Sequence, residues 1–196
     1  MTAKINNRRD ILLLMLYSPG INDKPNEAVV GRTRLVKMLF LFRQEALSHF
    51  RRGTEIDESN FYQFFAWNFG PFSTQVYDDL TFFQLRGFIE TSIAADEESL
   101  PESAAEWEKW FQEAGNQESD ELDVYQDEEL KLTSAGVLFA KKLYGVLSEP
   151  QRRLLKEFKA RLVRAPLRAI LKYVYSTYPD LTEKSKIKGE VLGNPF

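Results

Sequence analysis

The chain has 196 residues, of which 43% are hydrophobic, so it can bury a substantial core. It has no cysteine, which excludes disulfides, thiolate zinc sites and a cysteine nucleophile. No apolar run approaches the ~20 residues that cross a bilayer, and no secretory signal pattern is present. We therefore expect a cytoplasmic protein with no membrane partner.

Charge is strongly segregated along the chain. Residues 92–129 carry fourteen acidic residues and a single base, Lys109, which gives the segment a charge of −13 in a chain whose net charge is −3. The remaining residues sum to +10, so a basic body carries an acidic insertion. Basic surface attracts phosphates or acidic partners, and a tethered acidic segment can compete for that surface.

The spacing of apolar residues predicts the helices of the first half. Asp10–Tyr17 is expected to end a first helix, and the polar residues 18–31 are expected to form a loop. Apolar residues recur at three- and four-residue spacings from about Thr33 to Phe50, which predicts a long amphipathic helix. Another helix is predicted over Thr74–Leu85, with Ser73 as its N-cap.

Extended segments are predicted between these helices and around the acidic insertion. Aromatic residues alternate along Phe61–Phe69, which is typical of a strand covered on both faces, and Gly70–Ser73 is expected to form a turn. The segment at Ile89 and Glu129–Thr133 are predicted to be strands. Inside the insertion, the spacing around Trp107 predicts a short amphipathic helix.

The last third is basic and helical. Thr133 is expected to cap a helix that continues to Leu147, and an apolar stripe predicts a second helix around Leu155. Pro166 is expected to begin a third helix, because proline is tolerated in a first turn. A final short helix is predicted at Glu183–Val191.

The order helix, helix, strand, helix, strand, long excursion, strand matches a winged-helix domain. We therefore predict an α+β, mostly helical fold. Residues 1–147 form the winged-helix domain, with the acidic insertion 92–129 in the wing, and residues 148–196 form a basic helical extension packed on it.

Several short motifs carry a family resemblance. Gly31–Phe40, Phe69–Ser73 and Leu85–Ile89 resemble the uncharacterised YwgA-like family and, more distantly, the SocA-like (Panacea) antitoxin-associated domains. Leu132–Gly136 resembles the wing exit of such proteins, and the tail with Tyr173–Tyr175, Tyr178-Pro179 and Ser185–Ile187 resembles the tail of that group. The resemblance implies a prokaryotic regulatory or antitoxin-like protein rather than a known reaction.

Nothing in the sequence indicates catalysis. His49 is the only histidine, and its position beside Arg51 and Arg52 near a helix end is typical of a surface residue. The acids 96–98 lack the spaced loop and glycine turn of a calcium site. We therefore predict a non-enzymatic protein without cofactor, metal or small-molecule substrate.

DNA binding and protein binding remain as alternatives. Protein contacts, with a partner protein or as a homodimer, are the preferred reading, because Asp78 and Asp79 are expected to be exposed on the candidate recognition helix and to repel DNA. The aromatic residues nominated for protein contacts are Phe65, Trp67, Phe69 and Phe72. The alternative is a DNA-binding transcriptional regulator, in which the residues nominated for phosphate or base contacts are Arg32, Arg34, Lys37, Arg51, Arg52, Gln75, Arg86, Arg152, Arg153, Lys156 and Lys159.

Overall fold

Helices form most of the fold, and two small antiparallel sheets lie among them. The structure, a computed structural model, describes residues 4–93 and 128–193. The predicted α+β, mostly helical class is confirmed. The interior of the acidic insertion, including the helix predicted around Trp107, lies outside the described residues.

The first helix is the central element of the core. Helix α1 spans Arg8–Tyr17, and its residues from Asp10 to Tyr17 are all buried. It begins with a capping box: the Asn7 side chain accepts hydrogen bonds from the first-turn backbone, and the Asp10 carboxylate accepts one from the Asn7 N–H. Because both ends of this exchange are satisfied, the helix can start abruptly and enter the core within one turn.

The long helix predicted from Thr33 to Phe50 is confirmed in extent but contains an irregular turn. It consists of α2 (Arg32–Leu41), a π-helical turn (Phe42–Ala46) and α3 (Leu47–Phe50). Residues 35–42 of this helix are buried.

A three-stranded sheet forms around the ends of the acidic insertion. Strand β4 (Ile89–Ile93) pairs antiparallel with β5 (Glu128–Leu132), and the short β1 (Val29–Val30) pairs with the other edge of β5. The strands predicted on either side of the insertion are therefore present. The loop predicted over residues 18–31 was wrong at its end, because β1 lies in it.

Residues 65–72 form a hairpin rather than the predicted strand and turn. Strand β2 (Phe65–Trp67) pairs antiparallel with β3 (Gly70–Phe72), so Phe65 lies opposite Phe72 and Trp67 opposite Gly70. The predicted strand from Phe61 to Phe69 was too long, and the segment predicted as a turn is itself a strand. The chain reverses at residues 68 and 69, before the predicted turn at Gly70–Ser73. Gly70 adopts the left-handed φ of 79° that closes this two-residue connection.

Helix α4 spans Thr74–Leu85, as predicted, and Ser73 occupies its N-cap position. The Ser73 hydroxyl makes no capping hydrogen bond, so that part of the prediction was wrong. By contrast, the predicted cap of the next helix is confirmed, because Thr133 Oγ1 accepts a hydrogen bond from the Gly136 N–H at the start of α5 (Ser134–Gly145).

The C-terminal helices are α6 (Glu149–Arg164), α7 (Leu167–Thr177) and α8 (Lys188–Leu192). A 3₁₀ turn at Pro179–Thr182 and a non-helical segment precede α8, so the predicted final helix began several residues too early. Buried residues of α6 and α7 belong to the same hydrophobic core as those of α1 and α2. In the described part of the chain, no helix is both long enough and apolar enough to cross a bilayer.

Candidate protein-interaction surface

Three of the basic residues nominated for phosphate contacts point into the protein. Lys37 is 2% exposed and Lys159 is fully buried. The guanidinium of Arg34 donates to the carbonyls of Leu162 and Ala165 at 2.6 Å each. The expected exposure of these residues was therefore wrong, because the helix that carries each one buries it against backbone carbonyls that need a donor.

Lys159 has a complete set of hydrogen-bond acceptors. Its Nζ lies 2.7 Å from Leu16 O, 2.9 Å from Ser18 O and 2.7 Å from Glu27 O. Burial lowers the pKa of Lys159 to about 7. The three acceptors oppose that shift, because only the ammonium form has three N–H donors. Lys159 therefore joins α6 to the end of α1 and to the loop that follows it.

Three other nominated cations are already bonded to carboxylates or carbonyls of the protein. Arg32 forms an ion pair with Glu128 at 2.7 Å, and Lys156 pairs with Asp23. Arg152 donates to two carbonyls at the end of α5. The nominated Gln75 accepts a hydrogen bond from the Gln63 N–H, which fixes the chain that leads into the hairpin.

The nominated arginines that remain exposed are Arg51, Arg52, Arg86 and Arg153. Gln151 donates to the carbonyls of Phe50 and Arg52, which brings the end of α3 beside the start of α6. The junction of α3 and α6 therefore carries Arg51, Arg52 and Arg153. Arg86 lies elsewhere, directly after α4.

The candidate recognition helix α4 is held by a buried carboxylate. Asp79 is 0% exposed and accepts hydrogen bonds from Arg8 Nε at 2.8 Å and Arg9 Nε at 2.7 Å. The expectation that Asp79 is exposed was wrong, because its position on the α4 face toward α1 places it against two arginines. Asp78 is exposed, as expected.

An aromatic surface covers the outer face of the hairpin. Phe65 is 41% exposed and Trp67 is 45% exposed, although both are large apolar side chains. The Phe72 ring packs against both, with ring centroids 5.6 Å from Phe65 and 6.4 Å from Trp67, and Tyr77 of α4 lies 5.2 Å from Phe72. We call these four residues the hairpin surface. The fourth nominated aromatic residue, Phe69, is partly buried against the core and lines the cleft described below.

Residues of the C-terminal tail fix the hairpin in place. Asn68 O, in the hairpin connection, accepts hydrogen bonds from the Lys186 N–H at 3.0 Å and Ser185 Oγ at 3.1 Å. The Ser185 hydroxyl also bonds to the Tyr175 hydroxyl at 2.6 Å, and a Cβ at Gly70 would lie 2.9 Å from the Tyr175 ring. Tyr175, Ser185 and Lys186 belong to the tail motif, and membership of that motif is the only signal of their role in the sequence.

A small cleft lies between the hairpin and α2. Its lining includes Val36 and Lys37 of α2, Trp67, Phe72 and Tyr77, and its volume is about 10 Å³. Lys37 Nζ donates to Pro71 O at 2.8 Å. Burial lowers the pKa of Lys37 to about 7. The cleft is therefore lined both by aromatic rings of the hairpin surface and by a buried lysine.

His49 does not line this cleft, and the acids 96–98 lie outside the described residues. His49 is exposed at the end of α3, where its Nδ1 is 3.2 Å from Ser48 Oγ. Among residues 4–93 and 128–193, no group of three or more His, Asp or Glu side chains is close enough to hold a metal ion.

Comparisons with protein-family models, with curated proteins and with solved structures give no match to this chain.

Proposed function

We propose that this protein is a non-enzymatic regulator of the antitoxin-like type, built on a winged-helix plan, which acts through protein contacts at the hairpin surface. The observation that carries the proposal is the exposure of Phe65 and Trp67 on a hairpin whose connection is anchored by the C-terminal tail. Adjacent exposed aromatic side chains on a rigid support have the composition of a protein-binding hot spot, because they bury much area at little cost in side-chain entropy.

The arrangement around the acidic insertion supports the winged-helix part of the proposal. In this reading β4 and β5 are the wing strands, which pair from Ile89 opposite Leu132 to Ile93 opposite Glu128, and the acidic segment connects them in the sequence. Helices α2 and α4 precede the wing, as the plan requires.

DNA-binding regulation is the second candidate. The exposed arginines at the junction of α3 and α6 favour it, because phosphate contacts depend on accessible Lys and Arg side chains. The burial of Lys37 and Lys159 and the internal bonds of Arg34 weigh against it, because they remove three of the nominated phosphate contacts.

The test begins with the identity of the partner. Sedimentation of the purified chain and of Trp67→Ala decides whether the partner is a second copy. For a different protein, a partner that co-purifies in fixed stoichiometry is identified, purified and titrated calorimetrically against the wild type and Trp67→Ala. The matched control is Leu85→Ala, because Leu85 is 84% exposed and apolar but lies at the end of α4, outside the hairpin surface.

We expect Trp67→Ala to weaken the complex at least about 10-fold, because truncation of a central aromatic residue of a hot spot removes more than ~1.4 kcal/mol. Leu85→Ala should change the affinity less than about 2-fold. Equal affinities for the wild type and Trp67→Ala would remove the hairpin surface from the function.

A further inference from the structure

Lys37 is buried with too few hydrogen-bond partners for its charge. Its ammonium has three donors, and among the described residues it meets one acceptor, the carbonyl of Pro71, and no carboxylate. Lys159, which is also buried, meets three carbonyls. Desolvation of an amine costs several kcal/mol, and one hydrogen bond does not offset that cost. The burial of Lys37 is therefore not explained by the folding of the described residues.

The position of Lys37 places its incompletely bonded amine group in the same cleft as the hairpin surface. The amine-bearing side chain lines the cleft together with the rings of Trp67, Phe72 and Tyr77. The cleft volume of about 10 Å³ is about that of one water-sized atom. This volume is enough for one oxygen atom of a ligand, and the exposed rings of the hairpin surface lie next to it.

We infer that the Lys37 cleft is the anchor for a carboxylate of the protein partner, presented next to an apolar side chain. The inference rests on the proposed function and names the chemistry of the partner. A carboxylate supplies the opposite charge that Lys37 does not meet among the described residues, and the low dielectric of a buried site strengthens that attraction. A phosphate group fits less well, because it brings more charge and more oxygens than one amine can satisfy.

The test uses a small probe, so that it does not depend on the identity of the partner. The full-length chain is titrated with 3-phenylpropionate and, separately, with the uncharged 3-phenylpropionamide, which has nearly the same size and shape. Binding is followed by the indole N–H signal of Trp67 in nitrogen-15 NMR spectra, which the Trp67→Phe variant assigns. The same titrations are made with Lys37→Met and with Lys156→Met, a control lysine whose side chain is 45% exposed.

We expect a roughly millimolar dissociation constant for the carboxylate, as befits a ligand of this size, and at least about 10-fold weaker binding of the amide. Lys37→Met should remove this preference, and Lys156→Met should keep it. Equal affinities for carboxylate and amide in the wild type would overturn the inference, even if Lys37→Met failed to fold. A preference that survives in Lys37→Met would overturn it as well.

The outcomes separate the two proposals. If Trp67→Ala releases the partner but the carboxylate preference is absent, the hairpin surface stands and the Lys37 anchor falls. If the preference depends on Lys37 but the partner binds Trp67→Ala normally, the cleft binds carboxylates and the proposed function of the hairpin surface falls.

Discussion

Lys37 and Lys159 allow a direct test of how much the hydrogen bonds of a buried lysine contribute to stability. Lys37 and Lys159 both lie inside the protein, and burial lowers the pKa of each to about 7. Replacement by methionine keeps a similar length and removes the amine. The free energy gained because no charged amine has to be buried is therefore similar in the two variants. It cancels when their free energies of unfolding are compared.

What remains in the difference is the number of carbonyls that lose a donor. Lys37→Met leaves one carbonyl without its hydrogen-bond donor, and Lys159→Met leaves three. A buried polar group without a partner costs about 1–3 kcal/mol. The two additional carbonyls should therefore make Lys159→Met less stable than Lys37→Met by about 2–6 kcal/mol.

The assay is urea unfolding at pH 7, followed by far-ultraviolet circular dichroism, for the wild type and both variants. Equal slopes of free energy against urea are required for the comparison, because a changed slope indicates a changed unfolded or native state. A difference in the free energy of unfolding below about 1 kcal/mol between the variants would refute the reasoning, because it would mean that the carbonyls find other donors.

Three further predictions concern the same elements. The free energy of unfolding of the wild type should rise by about 2 kcal/mol or more from pH 7 to 9, because the folded pKa of Lys37, about 7, lies below its unfolded value of 10.5 and the unfolded chain binds more protons in this range. In urea titrations, Lys37→Met should show a rise that is smaller by about 2 kcal/mol. An undiminished rise in that variant would contradict the assignment. Asp79→Asn should destabilise the fold by roughly 2 kcal/mol in thermal unfolding at pH 7, because it weakens two charge-assisted bonds to partly exposed arginines, and an unchanged melting temperature would contradict this. Replacement of residues 95–126 by a short Gly-Ser linker keeps the paired strands and removes the acidic segment. If that segment screens basic surface, the affinity for a random DNA duplex should rise in salt-titrated fluorescence anisotropy, and an unchanged affinity would exclude screening.

The sequence predicted those elements whose local pattern is strong. The apolar spacing of α2 and the Thr133 cap of α5 depend on neighbouring residues, so they were visible without the fold. Strand β1 was missed, because two residues carry no periodicity and its pairing partner, β5, lies about a hundred residues away in the sequence.

The candidate site was only partly predictable. The aromatic residues Phe65 and Trp67 were identified by composition, but their exposure depends on how the hairpin packs against distant parts of the chain. The amphipathic pattern around Lys37, Lys159 and Asp79 marks polar positions without showing which of them meet a buried partner. Such contacts join helices that are distant in sequence, and they were therefore visible only in the structure.

The most direct test of the hairpin surface is amide hydrogen exchange of the full-length chain, alone and in complex with its purified partner. We predict slower exchange in the complex at the non-proline amides from Phe65 to Phe72, with little change at the junction of α3 and α6. Protection confined to that junction, with the hairpin exchanging as in the free chain, would contradict the proposal that the aromatic surface makes the contact.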